Sequence, residues 1–400
     1  MNATDTISNP NNFAVINLSS IESESAQPAM KNNRAGWVDF GAKNDYPQQI
    51  IDIIGKSPVN TAIIGSIVTY MCGKGIKETL KANEEVKLIG VPNPSESWDE
   101  VFEKLAKDYK MFGGFYFQVV KNKDDTTVSI FHQDFSKVRI GQISETGEPL
   151  TFRISNDWKK TSGKNKPIEL NAWNGINNLK KGEAQMFYHF DYISGLSHYC
   201  LPDYHSSLEY AKADGALAEF FNNSINNGFT PSVVISMPSN PDEKKKADFQ
   251  KKMERAFSGA KGASSIVILW GENDEVKPVV TPFQASANAN IYNEIEGIIF
   301  QKIISSHRLS SPTLAGISGK GNLSGNAAEI VDSFVLFNYT VIEKLKRKIL
   351  DKLNIFTKIN GTAELAIAEL DVVTKIRETE KPKETLNVKI ENPKELKELK

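Results

Sequence analysis

Cysteine is scarce in this sequence. The 400 residues include only Cys72 and Cys200, which lie far apart in the chain and do not have the spacing of metal ligands. The disulfide framework that holds many small secreted proteins together is therefore not expected. We predict a protein that works in a reduced, cytosolic setting.

Long hydrophobic runs are also missing. The longest candidate, residues 61–72, is about half of the ~20 apolar residues that a membrane helix needs. The first residues, MNATDTISNPNN, lack the basic region and apolar core of a secretory signal. We expect a soluble protein with no membrane partner.

Neither sign of charge is in excess. The sequence has 48 basic and 49 acidic residues, for a formal net charge of -1. Proteins that clamp nucleic acid through bulk charge are strongly basic, so this balance argues against that class. It does not exclude a protein past which DNA slides.

Motifs for catalysis and metal binding are lacking as well. Residues 316–321 place two residues between the first glycine and the Gly-Lys pair, where a phosphate-binding loop needs four. His198 and His205 flank Cys200 and Asp203, but their spacing matches no compact zinc site. No Gly-x-Ser-x-Gly is present. We predict no catalytic residues, no metal and no cofactor, and hence a protein that is not an enzyme.

What the sequence does contain is a succession of helix and strand patterns, with enough hydrophobic residues (40%) for a folded core. Apolar residues at helical spacing predict helices at 44–55, 61–72, 98–111, 208–221, 242–257, 291–308 and 324–353. Runs of β-branched and aromatic residues predict strands at 115–120, 127–131, 138–142, 150–154, 185–190, 232–237, 265–270 and 276–281. The pair Asn360-Gly361 predicts a hairpin between 355–359 and 362–367. The predicted fold class is α+β, with long helices plus small β-sheets.

The helix at 208–221 has an unusual face. A stripe of mainly small residues runs along it, namely Leu208, Ala211, Gly215, Ala218 and Phe221. Small residues allow another backbone to come close. Two interpretations follow: a core helix packed against a neighbour in the same chain, or a helix laid beside identical helices in a ring.

The order of several weak motifs resembles one family. Residues 221–231 (FNNSINNGFTP) end a helix and precede a strand, 291–314 form a helix ending in HRLSSPTL, and 321–327 (GNLSGNA) lead into the long last helix. Upstream, 57–62 (SPVNTA) and 131–139 (FHQDFSKVR) fit the same spacing. Together, over residues 44–355, they resemble the portal proteins, or head-tail connectors, of tailed bacteriophages.

The resemblance implies a ring subunit, a dodecamer in that family, at the unique vertex of a capsid. Double-stranded DNA would pass through the ring, without sequence specificity, during packaging and ejection. The implied partners are the terminase large subunit, the major capsid protein and head-completion or adaptor proteins. The implied location is the virion, after assembly in the cytoplasm of a bacterial host.

The resemblance also divides the chain into the family's wing, stem, clip and crown regions. Composition alone predicts a disordered arm at 1–35 and a charged flexible tail at 374–400. The implied regions between them are a first wing part (36–137), the clip (138–203), the stem helix (204–231), a second wing part (232–323) with a tunnel loop (278–290) and tunnel helix (291–308), and a crown helix and hairpin (324–373).

On this assignment the loop at 278–290 projects into the channel. It carries almost no charge, and each phosphate neutralised by lysine or arginine would add a counterion-release contribution that opposes sliding. We therefore expect four of its residues to approach the DNA backbone without reading bases, namely Phe283, Gln284, Ser286 and Asn288. The stripe on the stem helix would pack between subunits.

Two other classes remain open. One is another capsid or tail assembly subunit, such as a ring adaptor or minor head protein, which would not need both the small-faced helix and the later loop-plus-helix pair. The other is an enzyme, which measured nucleotide binding or turnover would favour. A large ring with a central hole would favour the portal interpretation.

Overall fold

The computed structural model describes residues 36–78, 89–226, 289–317 and 327–371, together with the short pieces 32–33, 233–237, 242, 244–245, 248, 266–270 and 279–282. Most of the predicted N-terminal arm, the charged tail and most of the predicted helix at 242–257 lie outside these residues. The predicted tunnel-loop residues Phe283, Gln284, Ser286 and Asn288 lie outside them too.

The helices follow the apolar patterns of the sequence closely. They are α1 (Tyr46–Lys56), α2 (Pro58–Cys72), α3 (Trp98–Phe112), α4 (Leu208–Asn226), α5 (Ala289–Ser306), α6 (Ala327–Phe337) and α7 (Glu343–Ile359). A π-helical turn at Asn338–Ile342 joins α6 to α7 without a break. The strands are β1 (Asn32–Asn33), β2 (Trp37–Val38), β3 (Ile76–Glu78), β4 (Gly114–Lys121), β5 (Val128–Gln133), β6 (Val138–Ile140), β7 (Thr151–Ile154), β8 (Ile168–Ala172), β9 (Ala184–Phe190), β10 (Val233–Met237), β11 (Ile266–Trp270), β12 (Val279–Pro282) and β13 (Leu365–Ile367). The α+β class is thus confirmed.

Local signals set the helix ends. The Ser57 side chain accepts a hydrogen bond from the Asn60 backbone N–H at 3.2 Å and caps α2. Ser97 and Glu100 form a capping box at the start of α3, satisfying two backbone donors reciprocally. Gly113, at φ +84°, ends α3 in a left-handed conformation that a side chain would oppose. These ends therefore need no tertiary contact to explain them.

A six-stranded sheet in the order β5-β4-β9-β8-β7-β6 forms the main β structure. All its neighbours are antiparallel except β8 and β9. The sheet places strands from residues 114–133 and from residues 138–190 in one unit. The predicted border between wing and clip at 137/138 therefore does not coincide with a break in the sheet.

A separate three-stranded sheet, in the order β11-β10-β12, lies between α4 and α5 in the sequence. Strands β10 and β11 are parallel, and β12 is antiparallel to β10. These strands match the predicted ones at 232–237, 265–270 and 276–281 within a few residues.

The predicted hairpin at 355–367 is wrong. Residues 355–359 are the last turn of α7, and β13 pairs with β3, about 290 residues earlier in the chain. Residues 355–359 stay helical because this places the Phe356 side chain in the core. Its ring centroid lies 5.3 Å from that of Phe117 on the six-stranded sheet. Gly361, at φ +67°, follows the end of the helix and does not form a two-residue hairpin turn.

The core lies between α2, α3, α7 and the six-stranded sheet. It is formed by buried side chains such as Ile63, Ile67, Met71, Val101, Phe102, Leu105, Phe115, Phe117, Ile349 and Leu353. Fully burying one such side chain stabilises the fold by about 1.5–3 kcal/mol. We call the packed unit of α2, α3, α7 and the six-stranded sheet the body. Residues 203–207, which precede α4, are attached to it.

Candidate functional site

The segment 203–207, which leads the chain into α4, is held by a cluster of six polar side chains, of which four are buried and two, Asp203 and Arg308, reach the surface. We call this cluster the root of α4 and define it by Lys110, Asp203, Tyr204, Asn60, His307 and Arg308. The Tyr204 hydroxyl donates to the backbone oxygen of Met111 at 3.0 Å, so the segment is fastened to the end of α3. The root joins α2, α3 and the segment after α5.

An ion triad forms one side of the root. The Lys110 ammonium lies 2.6 Å from one carboxylate oxygen of Asp203, and the Arg308 guanidinium lies 3.1 Å from the other. The Lys110 side chain is 1% exposed. Burial lowers the pKa of Lys110, and the neighbouring Asp203 carboxylate opposes that shift. The carboxylate is therefore needed to keep a charged lysine in the interior.

A buried histidine forms the other side. His307 Nε2 lies 2.7 Å from Asn60 Oδ1, and the His307 ring stacks on Tyr204 with 4.4 Å between centroids. Burial, and then the positive charges of Lys110 and Arg308, hold the pKa of His307 well below its usual range. The neutral ring is thus favoured. Neither His307 Nδ1 nor Asn60 Nδ2 has a hydrogen-bond partner within the described residues.

The first half of α4 is also fixed to the body. The Ser57 hydroxyl donates to an Asp214 carboxylate oxygen at 2.6 Å, and the hydroxyls of Ser306 and Ser207 lie 2.6 Å apart. A β carbon built at Gly215 would lie 2.9 Å from the β carbon of Lys56. Glycine here lets α4 approach the end of α1 more closely than alanine could.

These contacts divide the predicted stripe in two. Leu208 and Ala211 are 6% and 0% exposed, and Gly215 meets α1, so the first three members pack within the chain. Ala218 is exposed, and Phe221 is 37% exposed. The interpretation as a core helix fits the first half of α4. A contact between subunits stays a prediction for the second half, where Ala218 and Phe221 are exposed to solvent.

Helix α5 packs alongside α4. It ends where α4 begins, at the Ser306–Ser207 contact, and the two helices pack against each other. Ile299, Ile303 and Ile304 are buried, whereas Ile295 and Ile298, nearer its start, are 40% and 56% exposed. The two helices therefore share a pattern, buried near the body and exposed away from it.

The root was missed in the sequence because nothing local marks it. Lys110 stands beside the apolar stripe of α3, and a lysine in that position is ordinarily exposed to solvent. Its partner Asp203 is distant in the chain. His307 was noted only as part of a helix end.

Two of the four side chains weighed as metal ligands, His205 and Asp203, have separate partners. His205 Nδ1 lies 3.1 Å from the Tyr46 hydroxyl, and Asp203 is held by Lys110 and Arg308. Burial raises the pKa of the Cys200 thiol to about 12, which opposes the thiolate that a metal would bind. Within the described part of the chain, no three histidine, cysteine or acidic side chains gather as a metal site would require.

Among the described helices, none is by itself long and apolar enough to cross a membrane. Helices α1 and α2 reach that length and composition only together, and the chain bends by 102° between them.

Comparison with known proteins gives a fold match without a sequence match. No protein-family model matches the sequence, and no curated protein matches it. Among solved structures, a protein in the neck of an empty gene transfer agent (GTA) particle, determined with C6 symmetry, is similar over 84% of this chain and 89% of its own, with a TM-score of 0.56 and 14% identity. The neck of a native GTA particle with C12 symmetry gives a TM-score of 0.53 and 14% identity over 83% and 88% of the two chains. An HK97 family phage portal protein from Corynebacterium diphtheriae aligns over 88% and 100% of the chains, at a lower TM-score of 0.45 and 9% identity. The chain shares the fold of the GTA neck protein over most of both lengths.

Proposed function

We propose that this protein is a portal-type subunit that forms a ring at the capsid vertex of a phage-like particle. The observation that carries the proposal is the fold shared with a neck protein of a ring-symmetric particle, over 84% of this chain and 89% of that one. A likeness over 84% of the chain is more extensive than a match to one common subdomain. The motif order in 57–327 supports the same assignment independently of the fold.

The finer parts of the proposal follow from the resemblance. The ring is a dodecamer and a conduit for genome packaging and ejection, and double-stranded DNA passes through without sequence-specific contacts. Its partners are the terminase large subunit, the major capsid protein and head-completion proteins. The ring assembles in the host cytoplasm and ends in the virion. The second half of α4 packs between subunits.

The geometry suits a ring subunit in one further respect. The root, with its ion triad and stacked histidine, fastens α4 to the body together with two hydroxyl contacts outside it, so load on the helix would be passed to the core. The near-zero net charge of the chain suits a channel that must not hold its cargo. No catalytic step is needed for this role.

Imaging tests the proposal. The full chain is purified, alone and after co-expression with the capsid components of the same particle, and examined by negative-stain microscopy and mass photometry. We expect annular particles with a central hole and a mass near twelve protomers. A monomer at all concentrations, with no annular species even alongside capsid components, would contradict the proposal. A ring that is never incorporated into capsids would favour an adaptor instead.

The tunnel-loop prediction has its own test. Gln284→Lys with Ser286→Lys places two positive charges in the proposed channel, and Gln284→Asn with Ser286→Thr serves as the neutral control. We expect the lysine variant to form rings but to package DNA more slowly, because each phosphate contact adds friction. Equal packaging rates for both variants would mean that Phe283, Gln284, Ser286 and Asn288 do not approach the DNA.

A further inference from the structure

One end of the six-stranded sheet carries a concentrated positive charge. Residues 156–182 contain six lysines, no arginine and two carboxylates, a formal charge of +4 in a chain whose formal net charge is -1. All six side chains are exposed, namely Lys159, Lys160, Lys164, Lys166, Lys180 and Lys181. We call these six residues the lysine edge.

Sheet register brings the six together. The loop with the first four leaves β7 at Ile154 and enters β8 at Ile168, which are register partners. Lys180 and Lys181 precede β9, which runs parallel to β8 with Asn171 opposite Gln185. Because neighbouring parallel strands begin at the same end of a sheet, both groups of lysines lie at that end.

The two loops are ordered by their own contacts. Trp158 donates its indole N–H to the Lys137 backbone oxygen at 3.0 Å, and the Arg139 guanidinium lies 5.0 Å from the centre of its ring. Leu179, immediately before Lys180, is 1% exposed. A half-buried tryptophan and a buried leucine therefore fix the backbone beside the charged side chains, so binding would not carry the entropic cost of ordering these loops.

Within the described residues, the charge of the lysine edge is not neutralised by ion pairs. In the described part of the chain, none of its six ammonium groups forms an ion pair, whereas lysines elsewhere do, such as Lys104 with Glu96 and Lys121 with Asp125. The nearby carboxylates are already engaged. Glu169 lies 2.6 Å from the Arg153 guanidinium, and Asp157 and Glu183 accept backbone N–H bonds from Lys159 and Lys180 at 2.8 and 3.0 Å.

The residue types favour phosphate over an acidic protein surface. Protein interfaces are enriched in arginine and aromatic residues and depleted in lysine, which is the reverse of this segment. Contacts to a nucleic-acid backbone come from lysine together with asparagine, serine and threonine. The same 27-residue segment holds six asparagines, one serine and one threonine, and both of its tryptophans are half-buried.

We infer that the lysine edge binds the phosphate backbone of duplex nucleic acid without reading its sequence. This inference goes beyond the ring proposal, in which the channel is near-neutral and DNA slides past without being held. The lysine edge is a separate contact on the six-stranded sheet, where each occupied phosphate would release counterions. It stands or falls without the oligomeric state, because it needs only the folded protomer.

Fluorescence anisotropy with two 30-base-pair duplexes of unrelated sequence tests this inference on the full chain. The variant Lys159→Gln, Lys160→Gln, Lys180→Gln and Lys181→Gln removes four charges from the lysine edge. The control Lys43→Gln, Lys77→Gln, Lys107→Gln and Lys344→Gln removes four charges from exposed lysines elsewhere. Mass photometry of all three proteins establishes that their oligomeric states are equal.

We expect the wild type to bind both duplexes alike, with affinity falling steeply as salt rises. The edge variant should bind at least about tenfold more weakly at ~100 mM salt, with a log–log salt slope smaller by about 2–4, since each phosphate contact contributes about 0.9. The control should stay close to wild type. The inference is overturned if the wild type fails to bind duplex at ~50 mM salt, or if both variants lose affinity equally. It is also overturned if poly-glutamate displaces the duplex at equal charge concentration, which would indicate an acidic protein partner.

Discussion

The Lys110 ammonium, 1% exposed, lies 2.6 Å from a carboxylate oxygen of Asp203, and this carboxylate also holds Arg308 at 3.1 Å. The arrangement is unequal. Asp203 has two cationic partners, whereas no second carboxylate pairs with Lys110 in the residues that the structure describes. Replacing Asp203 should therefore change the free energy of unfolding more than replacing Lys110.

Asp203→Asn leaves a buried ammonium without its counter-charge, so we expect it to lower the free energy of unfolding by about 3 kcal/mol. Lys110→Met should cost much less, because Asp203 keeps Arg308 and the methionine fills similar volume. Urea unfolding of both single variants and of the double variant measures the difference. Equal costs for the two single variants would show that the carboxylate does not serve mainly to hold Lys110.

Two glycines within helices, Gly215 in α4 and Gly65 in α2, provide a test of the α4–α1 contact and its control. Gly215→Ala places a β carbon 2.9 Å from the β carbon of Lys56 and 3.2 Å from its backbone oxygen, so α4 must shift away from α1. We expect a loss of about 1–3 kcal/mol in the free energy of unfolding. Gly65→Ala in α2 meets nothing within 4 Å and should stabilise by about 0.5–1 kcal/mol through helix propensity. If both variants changed the free energy of unfolding in the same direction, the close approach of α4 and α1 would be contradicted.

Stability should fall as the pH drops below about 6.5, the ordinary pKa of histidine. Burial lowers the pKa of His307 in the folded state, so below that pH the unfolded chain binds a proton that the folded chain does not. The contribution is fully present above pH ~6.5 and is lost at up to about 1.4 kcal/mol per pH unit below it. Burial also lowers the pKa of His198 and His205, and that of His189 to about 4, so these groups act in the same direction.

His307→Gln separates the contribution of His307 from the others. Glutamine can still donate to Asn60 Oδ1 but does not titrate. We expect its urea midpoint to fall less than that of the wild type between pH 7.5 and pH 5.5. The difference should correspond to one proton fewer bound on unfolding. A variant with an unchanged pH slope would mean that His307 takes up its proton while the protein is folded.

The exposed half of α4 gives a test of subunit packing. Ala218 belongs to the stripe, and Ala216 is another exposed alanine that points elsewhere around the same helix. We expect Ala218→Glu to reduce ring formation in mass photometry, because a charge would be buried between subunits. Ala216→Glu should reduce it less, and neither should change unfolding of the dilute protomer. If the two variants assemble equally well, the stripe does not contact a neighbouring subunit.

Much of the fold was readable from the sequence because it depends on local physics. The α1, α2 and α3 helices were predicted within three residues of their observed ends, since prolines, capping residues and glycines mark those ends locally. Most strands of the two larger sheets were recognised from β-branched and aromatic runs. The hairpin at 355–367 failed because Asn-Gly can follow a helix as well as join two strands, and only the burial of Phe356 decides between them.

The sequence by itself determined where most helices and strands begin, the lack of local catalytic motifs and the stripe on α4, because each of these depends on residues a few positions apart. Only the tertiary structure decided that half of this stripe is used within the chain. It also decided that Lys110 meets Asp203, that His307 meets Asn60 and that the lysines of two loops share one end of a sheet. Those pairings join residues distant in the chain, and their stability comes from the burial and charge compensation that packing alone creates.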